Sequence, residues 1–363
     1  MAATNSARTA AVAVPRLYAV AAPHAKPVRM GRERNAGRLP RPGTCPYKVP
    51  NARPAALLSI YVEISIRGAL DELWRRTQDP ELHERWDLRF TSIEYLERAD
   101  ESPVQLFRYT TCNGLGREIE GWGKTVGERL EANTRTSAFK FGSDDWRSLI
   151  RAGSGYWKYE QIGDEVRFVT GYNYDVRWGL FGRIFDRILF RPLLGWATAW
   201  SFDRLRLWIE QEKEPQQAAR QVLIHAVAAA ALALLWIWQG LVPKLWALHP
   251  AEVELSLASG IPESMAPSFL RILGAAEVVL GVAFPFFARR RWPWLLTVGS
   301  MAGGLLVVLF AAPDLILGPF SPLVLNLSMA ALSVIGLMSL RNLPSARRCL
   351  RRLPEEQAEV TRT

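Results

Sequence analysis

The chain has 363 residues, of which 49% are hydrophobic, and its formal net charge is +10. This charge sits at one end, because residues 1–55 hold ten basic and one acidic side chain, whereas residues 56–219 hold 23 and 26. The globular part therefore has no basic excess for nucleic acid, and no nucleic-acid partner is expected. Cys45, Cys112 and Cys349 are odd in number and far apart, which argues against a disulfide framework and a cysteine-based metal site.

Residues 1–55 are rich in arginine, proline, alanine and glycine and show no sustained apolar period. Pro15 and Arg16 interrupt the apolar stretch AVAVPRLYAVAA, which makes it a poor core for a secretory signal. We expect a basic disordered tail, or a start codon assigned too early, with Met30 as one internal alternative. A basic arm that contacts anionic lipid or nucleic acid is the other interpretation.

Residues 56–213 show the pattern of one soluble α+β domain. LLSIYVEISI, at residues 57–66, has the composition of a strand, and GALDELWRRTQDPELHERW then predicts one or two short helices. Six further strands are predicted between turn residues, in LRFTSIEYLE, VQLFRYTTC, REIEGWGKTV, TRTSAFKFG, GYWKYEQI and EVRFVTGYNYDV. A long helix, LFGRIFDRILFRPLLGWATAWSFDRLRLWIEQ, closes the domain and is expected to bend or break at Pro192.

This order of elements is that of the helix-grip fold, in which an antiparallel sheet is wrapped on a long C-terminal helix. Together with the passage VEISIRGALDELWRRTQDPELHERWDLRFTSIEYLE, it resembles the SRPBCC superfamily of START-like and polyketide-cyclase-like proteins over residues 57–212. The resemblance implies an apolar pocket between the sheet and the last helix. Strand alternation puts aromatic residues on common faces, where they are either ligand contacts or ordinary core. These residues are Phe107, Tyr109, Phe139, Phe141, Trp157, Tyr159, Phe168, Tyr172 and Tyr174.

Few groups in this domain indicate catalysis. His83 lies near Glu84 and Asp87, but a lone histidine on a short helix is usually a surface or capping residue. Glu118 and Glu120 alternate along a strand and are expected to share a solvent-facing side. No Ser/His/Asp order and no metal-ligand spacing stands out in this domain. We therefore predict no catalytic residue and no metal site, and the pattern assigns no cofactor.

The start of the long helix is amphipathic. Arg183, Arg187 and Arg191 recur every four residues, beside a broad apolar surface. That surface consists of Phe181, Ile184, Phe185, Ile188 and Leu189. Two interpretations stay open: a helix that lies on the inner leaflet with its basic face toward anionic headgroups, or a pocket-closing helix with a solvated arginine face.

Beyond residue 219 the chain contains four nearly uncharged apolar segments. They are VLIHAVAAAALALLWIW, ILGAAEVVLGVAFPFFA, WPWLLTVGSMAGGLLVVLFAA and PLVLNLSMAALSVIGLMSL. At about 1.5 Å per residue, helices of this length cross a hydrocarbon core of about 30 Å. Residues 222–341 are therefore predicted to form an all-α four-helix transmembrane bundle. A linker at 214–221 precedes it, and a basic-then-acidic cytoplasmic tail at 342–363 follows.

Arginines indicate the orientation of this bundle. Arg220 precedes the first span, Arg289–Arg291 join the second and third, and further arginines follow the fourth. The opposite loops carry only Lys244 and Arg271, at helix ends. By the positive-inside rule, both termini and the soluble domain are expected in the cytoplasm, with the protein in the cell (inner) membrane.

Glu277 lies within the apolar run ILGAAEVVLGVAF, where a carboxylate needs a partner. Gly274 and Gly281 share its helical stripe, so this face is expected to lie against another helix. Glu277 and Asn326 are expected at the same depth, roughly 9 Å from the outer surface. The predicted polar cluster consists of Lys244, Arg271, Glu277 and Asn326. It is either a buried pair or protonated carboxyl with a structural role, or a substrate, quinone-headgroup or proton site.

The passages WQGLVPKLWALHPAE, LRILGAAEVVLG and APDLILGPFSPLVLNLSMA resemble the DoxX-like family of four-helix membrane proteins over residues 220–340. By this resemblance the family-typical positions are Lys244, His249, Pro250, Glu277, Pro322 and Asn326. Related DoxX proteins are linked to thiosulfate–quinone oxidoreduction or to redox-stress complexes, which implies a redox or quinone partner protein. The sequence itself shows no flavin, haem or iron–sulfur ligation pattern.

Three functions stay open at this point. The first is a multi-pass membrane protein whose cytoplasmic pocket binds a hydrophobic ligand, such as a lipid, isoprenoid or quinone-like molecule from the membrane. The second is a membrane-associated enzyme, either a quinone-linked oxidoreductase subunit or a cyclase-like catalyst. The third is a membrane anchor and assembly module, for which the small-residue stripe of Gly299 and Gly303 offers a helix contact.

Overall fold

The computed structural model describes residues 60–97, 104–112, 116–318 and 321–352. The predicted N-terminal tail and the acidic end of the C-terminal tail lie outside these ranges. The described part has two regions, a sheet with its helices up to Gln211 and a helical region from Pro215 onward.

A seven-stranded antiparallel sheet forms the first region. Its spatial order is β1-β7-β6-β5-β4-β3-β2, so the first strand pairs with the last. The strands are β1 Ile60–Arg67, β2 Ser92–Tyr95, β3 Leu106–Cys112, β4 Glu118–Leu130, β5 Thr134–Gly142, β6 Ile150–Ile162 and β7 Glu165–Val176. The predicted order of strands is confirmed.

Two short helices, α1 Leu70–Gln78 and α2 Pro80–Trp86, connect β1 to β2. Asp79 caps α2, because its side chain accepts hydrogen bonds from the backbone amides of Glu81 and Leu82. Pro80 occupies the first turn, where its missing N–H leaves no hydrogen bond unmade. This cap fixes the start of α2 and therefore which of its faces points into the domain.

The long helix that closes this region is continuous but irregular. α3 Gly179–Phe185 passes into a π-helical turn, Asp186–Phe190, and then into α4 Arg191–Gln211. A proline ring clashes with the carbonyl of an ordinary helical turn, and a widened turn relieves such a clash. The predicted break at Pro192 is therefore a π-helical turn that ends just before this proline.

The core of the region lies between the sheet and the second half of α4. Phe168 of β7 stacks between Tyr159 of β6 and Phe202 of α4, with ring centroids 4.8 and 4.3 Å away. Residues from Thr198 to Trp208 of α4 are buried, whereas its first seven residues are exposed or partly exposed. Only the second half of α4 is therefore buried in the domain.

Four helices in the second region are long and apolar enough to cross a membrane. The helices are α5 Pro215–Gly240, extended by a π-helical turn at Leu241–Trp246, α6 Pro250–Ala258, α7 Ala266–Phe287, α8 Trp292–Ala311 and α9 Pro322–Ser339. The four predicted spans are α5, α7, α8 and α9, and they are confirmed. The short α6 was not predicted, although Pro250 is a typical first residue of a helix, and the His249 side chain caps it.

Helices α5 and α7 approach each other at glycines. A Cβ atom on Gly240 would lie 2.3 Å from the carbonyl oxygen of Gly274, and one on Gly281 would lie 2.8 Å from the carbonyl oxygen of Ala233 in α5. The predicted glycine stripe of α7 therefore faces α5. The second predicted stripe behaves differently, because Gly299 and Gly303 of α8 face open space within the described part of the chain.

The two regions are joined by more than the predicted linker, which forms the first turns of α5. After α9, residues 343–350 run along α4, and we call this segment the C-terminal clasp. The amide of Ser345 donates to the buried carboxylate of Asp203 at 2.7 Å, and Leu350 pairs with Glu63 of edge strand β1. Burial of Cys349 in the clasp raises its pKa to about 12. The first part of the predicted C-terminal tail is thus a packed segment.

Replacing Gly274 by leucine is expected to push α5 away from α7, since the new side chain would meet the Gly240 carbonyl and the Lys244 Cβ. Overpacking of this kind costs about 1–3 kcal/mol or more. Gly303→Leu introduces the same side chain into open space and serves as the control. We expect a lower midpoint of thermal unfolding in detergent for Gly274→Leu alone, and equal effects of the two variants would contradict this packing.

Candidate functional site

The nine predicted aromatic residues lie on one face of the sheet, the face toward α4, and we call the space between this face and α4 the cup. Several of the rings lie flat over glycines of the neighbouring strand. A Cβ atom on Gly121 would come within 2.1 Å of the Tyr109 ring, and one on Gly123 would come equally close to Phe107. These glycines make room for rings that a larger residue would displace, which the strand pattern alone did not reveal.

The rings in the cup fall into a packed group and an open group. Tyr159 and Phe168 are fully buried, and the Tyr159 hydroxyl is hydrogen-bonded to Thr77 at 2.8 Å. Phe107, Phe139 and Phe141 stay partly exposed, and we call these three the open half of the cup. The pocket implied by the resemblance is therefore packed with side chains in one half and only partly covered in the other.

A cavity of about 450 Å³ opens on the opposite face of the sheet. Tyr61 and Tyr156 flank it, and Lys140 and Asn173 contribute polar edges. This cavity lies outside the cup, so it is not the pocket that the resemblance implied. Glu118 and Glu120 are exposed on β4, as expected.

A buried polar cluster of His83, Asp87 and Arg89 lies inside the cup. The Nε2 atom of His83 is 3.1 Å from Asp87, and Arg89 donates to the same carboxylate through Nε and Nη2 at 2.9 and 2.6 Å. The Arg89 guanidinium lies 5.6 Å from the centre of the Tyr172 ring, and the Tyr172 hydroxyl pairs with Thr198 at 2.8 Å. The cluster therefore links the α2–β2 connection to β7 and α4.

Burial opposes the ionisation of Asp87, but the charge and hydrogen bonds of Arg89, together with His83, hold the pKa of Asp87 well below its usual range. Burial likewise opposes the charge on Arg89, and Asp87 keeps the pKa of Arg89 above its usual value. Asp87 and Arg89 therefore form a buried ion pair in which both groups are charged.

The sequence interpretation of His83 as a surface or capping residue is wrong. Its ring is buried and stacks on Trp86 with centroids 4.9 Å apart. The available signal was the four-residue spacing of His83 and Asp87, which places both side chains on one face of α2. That spacing cannot tell whether the shared face points to solvent or to the core, because packing against the cup decides it.

Within the bundle, Lys244 is the partner of Glu277. The Nζ atom of Lys244 lies 3.1 Å from Oε2 of Glu277 and 3.5 Å from Oε1 of Glu252, and it also donates to the Gln239 carbonyl at 3.3 Å. The Lys244–Glu277 contact has the distance of an ion pair without the alignment of a hydrogen bond, so this oxygen of Glu277 is buried with no hydrogen-bond partner in the described ranges. One buried cation thus faces two carboxylates.

The other two predicted members of this cluster lie apart from it. Arg271 is exposed near the start of α7 and forms no ion pair with any described residue. Asn326 faces α8, where its Nδ2 atom is 3.5 Å from the position that a Cβ of Gly304 would take. The equal-depth argument failed for Asn326 because α9 packs mainly on α5 and α8, whereas Glu277 on α7 faces α5.

The other family-typical positions, His249, Pro250 and Pro322, begin helices. His249 caps α6 and Pro250 opens it, which brings Glu252 of the same helix to Lys244. Pro322 opens α9 behind the capping residue Ser321. These residues therefore position the cluster and the fourth span without contacting Glu277 through a described hydrogen bond or ion pair.

A second buried polar group lies toward the opposite end of α5, and the sequence reasoning did not assign it a role. The Nδ1 atom of His225 is 2.9 Å from the Ser339 hydroxyl, and the His225 ring lies 5.1 Å from that of Trp294. The Nε2 atom of His225 and the Ser333 hydroxyl are buried with no hydrogen-bond partner among the residues that the structure describes. The bundle thus holds a polar group near each end.

A double-mutant cycle tests the Lys244–Glu277 pair. Lys244→Met leaves two carboxylates without their cation, and breaking a buried pair in this way costs about 3–5 kcal/mol. The double variant Lys244→Met/Glu277→Leu is expected to regain most of this loss, since apolar replacement of both partners removes the desolvation cost. Arg271→Met removes one exposed cation as the control, and unfolding in detergent is the measurement. An equally mild effect of Lys244→Met and Arg271→Met would contradict the pairing.

Two comparisons of the sequence with known proteins find relatives of this chain. Residues 233–334 match the model of the DoxX-like family. The chain is 42% identical over 257 residues to the uncharacterised membrane protein YndG of Bacillus subtilis (strain 168), a match that covers 68% of this chain and 92% of YndG.

Solved structures similar to the sheet region include a STAR-related lipid transfer protein from Xanthomonas axonopodis, at 14% identity and a TM-score of 0.33, covering 42% of this chain and 86% of that one. The ZhuI aromatase/cyclase from Streptomyces sp. R1128 is 11% identical with a TM-score of 0.33, covering 43% of this chain and 98% of that one. The helix-grip assignment rests on the strand order and helix packing described above.

The DoxX-like match includes both Lys244 and Glu277, and the helix-grip domain precedes it in the chain. Four spans of sufficient length and apolarity accompany that match. At 42% identity over 92% of YndG, the chain belongs to the same family of membrane proteins as YndG, with a helix-grip domain that precedes a bundle matching the DoxX-like family.

Proposed function

We propose that this membrane protein binds a hydrophobic ligand in the open half of the cup. The observation that carries the proposal is the incomplete cover of the aromatic face, where Phe107, Phe139 and Phe141 stay partly exposed. A lipid, an isoprenoid or a quinone-like molecule from the membrane would complete that cover. Burial of each CH₂ group contributes about 0.8 kcal/mol, so such binding requires no catalytic group.

The polar cluster in the cup favours a ligand with a polar group at one end. Arg89 has five N–H donors, of which two are used by Asp87 and a further one interacts with the Tyr172 side chain, and 15% of its side chain remains exposed. Phe90 and Tyr172 lie beside the guanidinium, at 5.5 and 5.6 Å from their ring centres. A carbonyl, hydroxyl or acidic group would be held here while the apolar body contacts the open half.

A second candidate function is favoured by the buried Oε2 atom of Glu277, which is paired with Lys244 but has no hydrogen-bond partner among the described residues. Ionisable groups inside a membrane commonly mark ion, proton or substrate sites. Lys244 with Glu252 and Glu277 would serve a redox or quinone partner protein, in line with the roles linked to DoxX-like proteins. This candidate makes the protein a subunit of a membrane enzyme rather than a binding protein.

The orientation that we propose puts the sheet domain and both termini in the cytoplasm, at the inner membrane. Support comes from the arginines at the end of the bundle that carries the sheet domain. Arg289 donates to the Pro344 carbonyl at the start of the clasp, and Arg341 follows the end of the fourth span. Positive charge on this side is the pattern of a cytoplasmic face.

Ligand binding is tested with the full-length protein, purified in mild detergent and analysed by native mass spectrometry and lipid extraction. We expect a co-purifying hydrophobic molecule in the wild type. Phe141→Asp places a charge on the open half and should release that molecule, because a carboxylate there would be desolvated by the ligand.

The matched control is Lys140→Asp, which introduces the same residue at the adjacent position on the opposite face of β5. Thermal unfolding establishes that both variants remain folded. If the molecule is retained in Phe141→Asp and lost in Lys140→Asp, its binding site is the cavity on the opposite face of the sheet and not the cup. The absence of any co-purifying molecule from the wild type, with no lipid transfer in vitro, would end the binding proposal.

Orientation is tested with alkaline phosphatase fusions, which are active only outside the cytoplasm. A fusion in the loop at Gly318, between α8 and α9, is expected to be active, and a fusion after Arg352 is expected to be silent. Activity after Arg352 with silence at Gly318 would reverse the proposed topology.

A further inference from the structure

The start of the long helix presents apolar side chains to the outside of the sheet domain. Leu180, Phe181 and Ile188 are 66%, 69% and 73% exposed, which is unusual for large apolar residues in a soluble domain. Other exposed apolar residues continue the same segment. They are Trp178, Ile184, Leu189, Leu193 and Trp196, and with the first three they form what we call the docking surface.

The opposite side of this segment is fixed to the cup. Asp186 is buried and accepts hydrogen bonds from the Tyr174 hydroxyl at 2.7 Å and from Arg191 at 2.9 Å. Gly182 lies so close to Arg177 that a Cβ atom would come within 1.8 Å of its carbonyl oxygen. A pocket-closing helix would bury its apolar side against the sheet, whereas here Gly182 and Asp186 face inward and the apolar residues of the docking surface face outward.

The docking surface is bordered by unpaired positive charge. Arg183 and Arg187 are exposed, stand one helical turn apart, and form no ion pair with any described residue. The one acidic residue of the segment, Asp186, is occupied by Tyr174 and Arg191. An apolar arc bordered by arginines is typical of a helix that lies in the interface of an anionic bilayer.

We infer that the docking surface lies in the headgroup region of the membrane in which the bundle is embedded, against anionic lipid. The sheet domain cannot move far from that membrane, because α4 leads directly into the first span. Lys213 also donates to the Asn342 carbonyl at the end of the fourth span, and Arg204 donates to the Pro215 carbonyl at the start of the first. The sheet domain is therefore held beside the bilayer that contains the bundle.

The position of the docking surface also relates it to the open half of the cup. Tyr174 contacts both the segment, through Asp186, and the interior face, where Tyr172 is its neighbour. Docking would bring this rim of the cup to the lipid surface and let a hydrophobic molecule pass without crossing water. That consequence rests on the proposed function, whereas the docking itself does not.

The test uses the full-length protein with its native cysteines replaced, carrying one environment-sensitive NBD label. The label is placed at Ile188→Cys in the docking surface or at Val126→Cys on the opposite face of the sheet, where the side chain is also exposed. The protein is reconstituted in nanodiscs of phosphatidylcholine and phosphatidylglycerol that contain nitroxide-bearing lipid, which quenches a label in the bilayer.

We expect several-fold stronger quenching at position 188 than at position 126. The quenching at 188 should fall in nanodiscs without phosphatidylglycerol and in the variant Arg183→Glu/Arg187→Glu, whose substitutions are exposed and leave the core untouched. Phe141→Asp should retain the quenching even where it loses its ligand, which separates the two proposals.

Equal quenching at the two positions, or none at either, would overturn the inference. Self-quenching between two copies labelled at 188, without quenching by the lipid nitroxide, would also overturn it, since a second copy would then cover the surface. If quenching at position 188 is the same without phosphatidylglycerol and in the variant Arg183→Glu/Arg187→Glu, the attraction proposed between the two arginines and anionic lipid is contradicted.

Discussion

Apolar side chains that the chain leaves uncovered must lie against lipid or another molecule, and this constraint arranges both regions. In the four spans only 17–33% of the most apolar stretch is buried within the protein, so most of these side chains face outward. The same condition holds at the docking surface and, from the inside, at the open half of the cup. Lipid covers the spans. We propose that lipid also covers the docking surface and that a hydrophobic ligand covers the open half of the cup.

Polar groups inside the bundle impose the complementary condition, since each needs a partner that no lipid tail provides. The partner of Glu277 reaches it only because α5 and α7 touch. Gly274 is the reason, because a Cβ atom there would lie 2.8 Å from the Cβ of Lys244. The π-helical turn that contains Pro243 and Lys244 shifts the register of α5 at the same point. Gly274 of α7 and the π-helical turn at Pro243 therefore together bring Lys244 of the first span to Glu277 of α7.

Features with a local period could be predicted from the sequence, and features set by packing could not. Strand alternation correctly put Phe139 and Phe141 on one face, and the apolar lengths identified all four spans. His83 was missed because a seven-residue helix shows no clear buried face until it meets the sheet. Asn326 was grouped with Glu277 by depth alone, although depth does not say which helices are neighbours. The clasp was unpredictable for the same reason, since its pairing with β1 joins residues far apart in the chain.

The sheet domain, which contains the cup, and the Lys244 cluster lie at opposite ends of α5. This helix contacts both the sheet domain and the cluster. With its π-helical extension this helix has 32 residues, or about 48 Å at 1.5 Å per residue. At its cup end, Val222 packs against the core of the sheet domain, and Gln221 donates to the carbonyls of Ser339 and Arg341 just before the clasp. Helix α5 therefore packs on the sheet domain and the segment before the clasp at one end, and carries the lysine that pairs with Glu277 at the other.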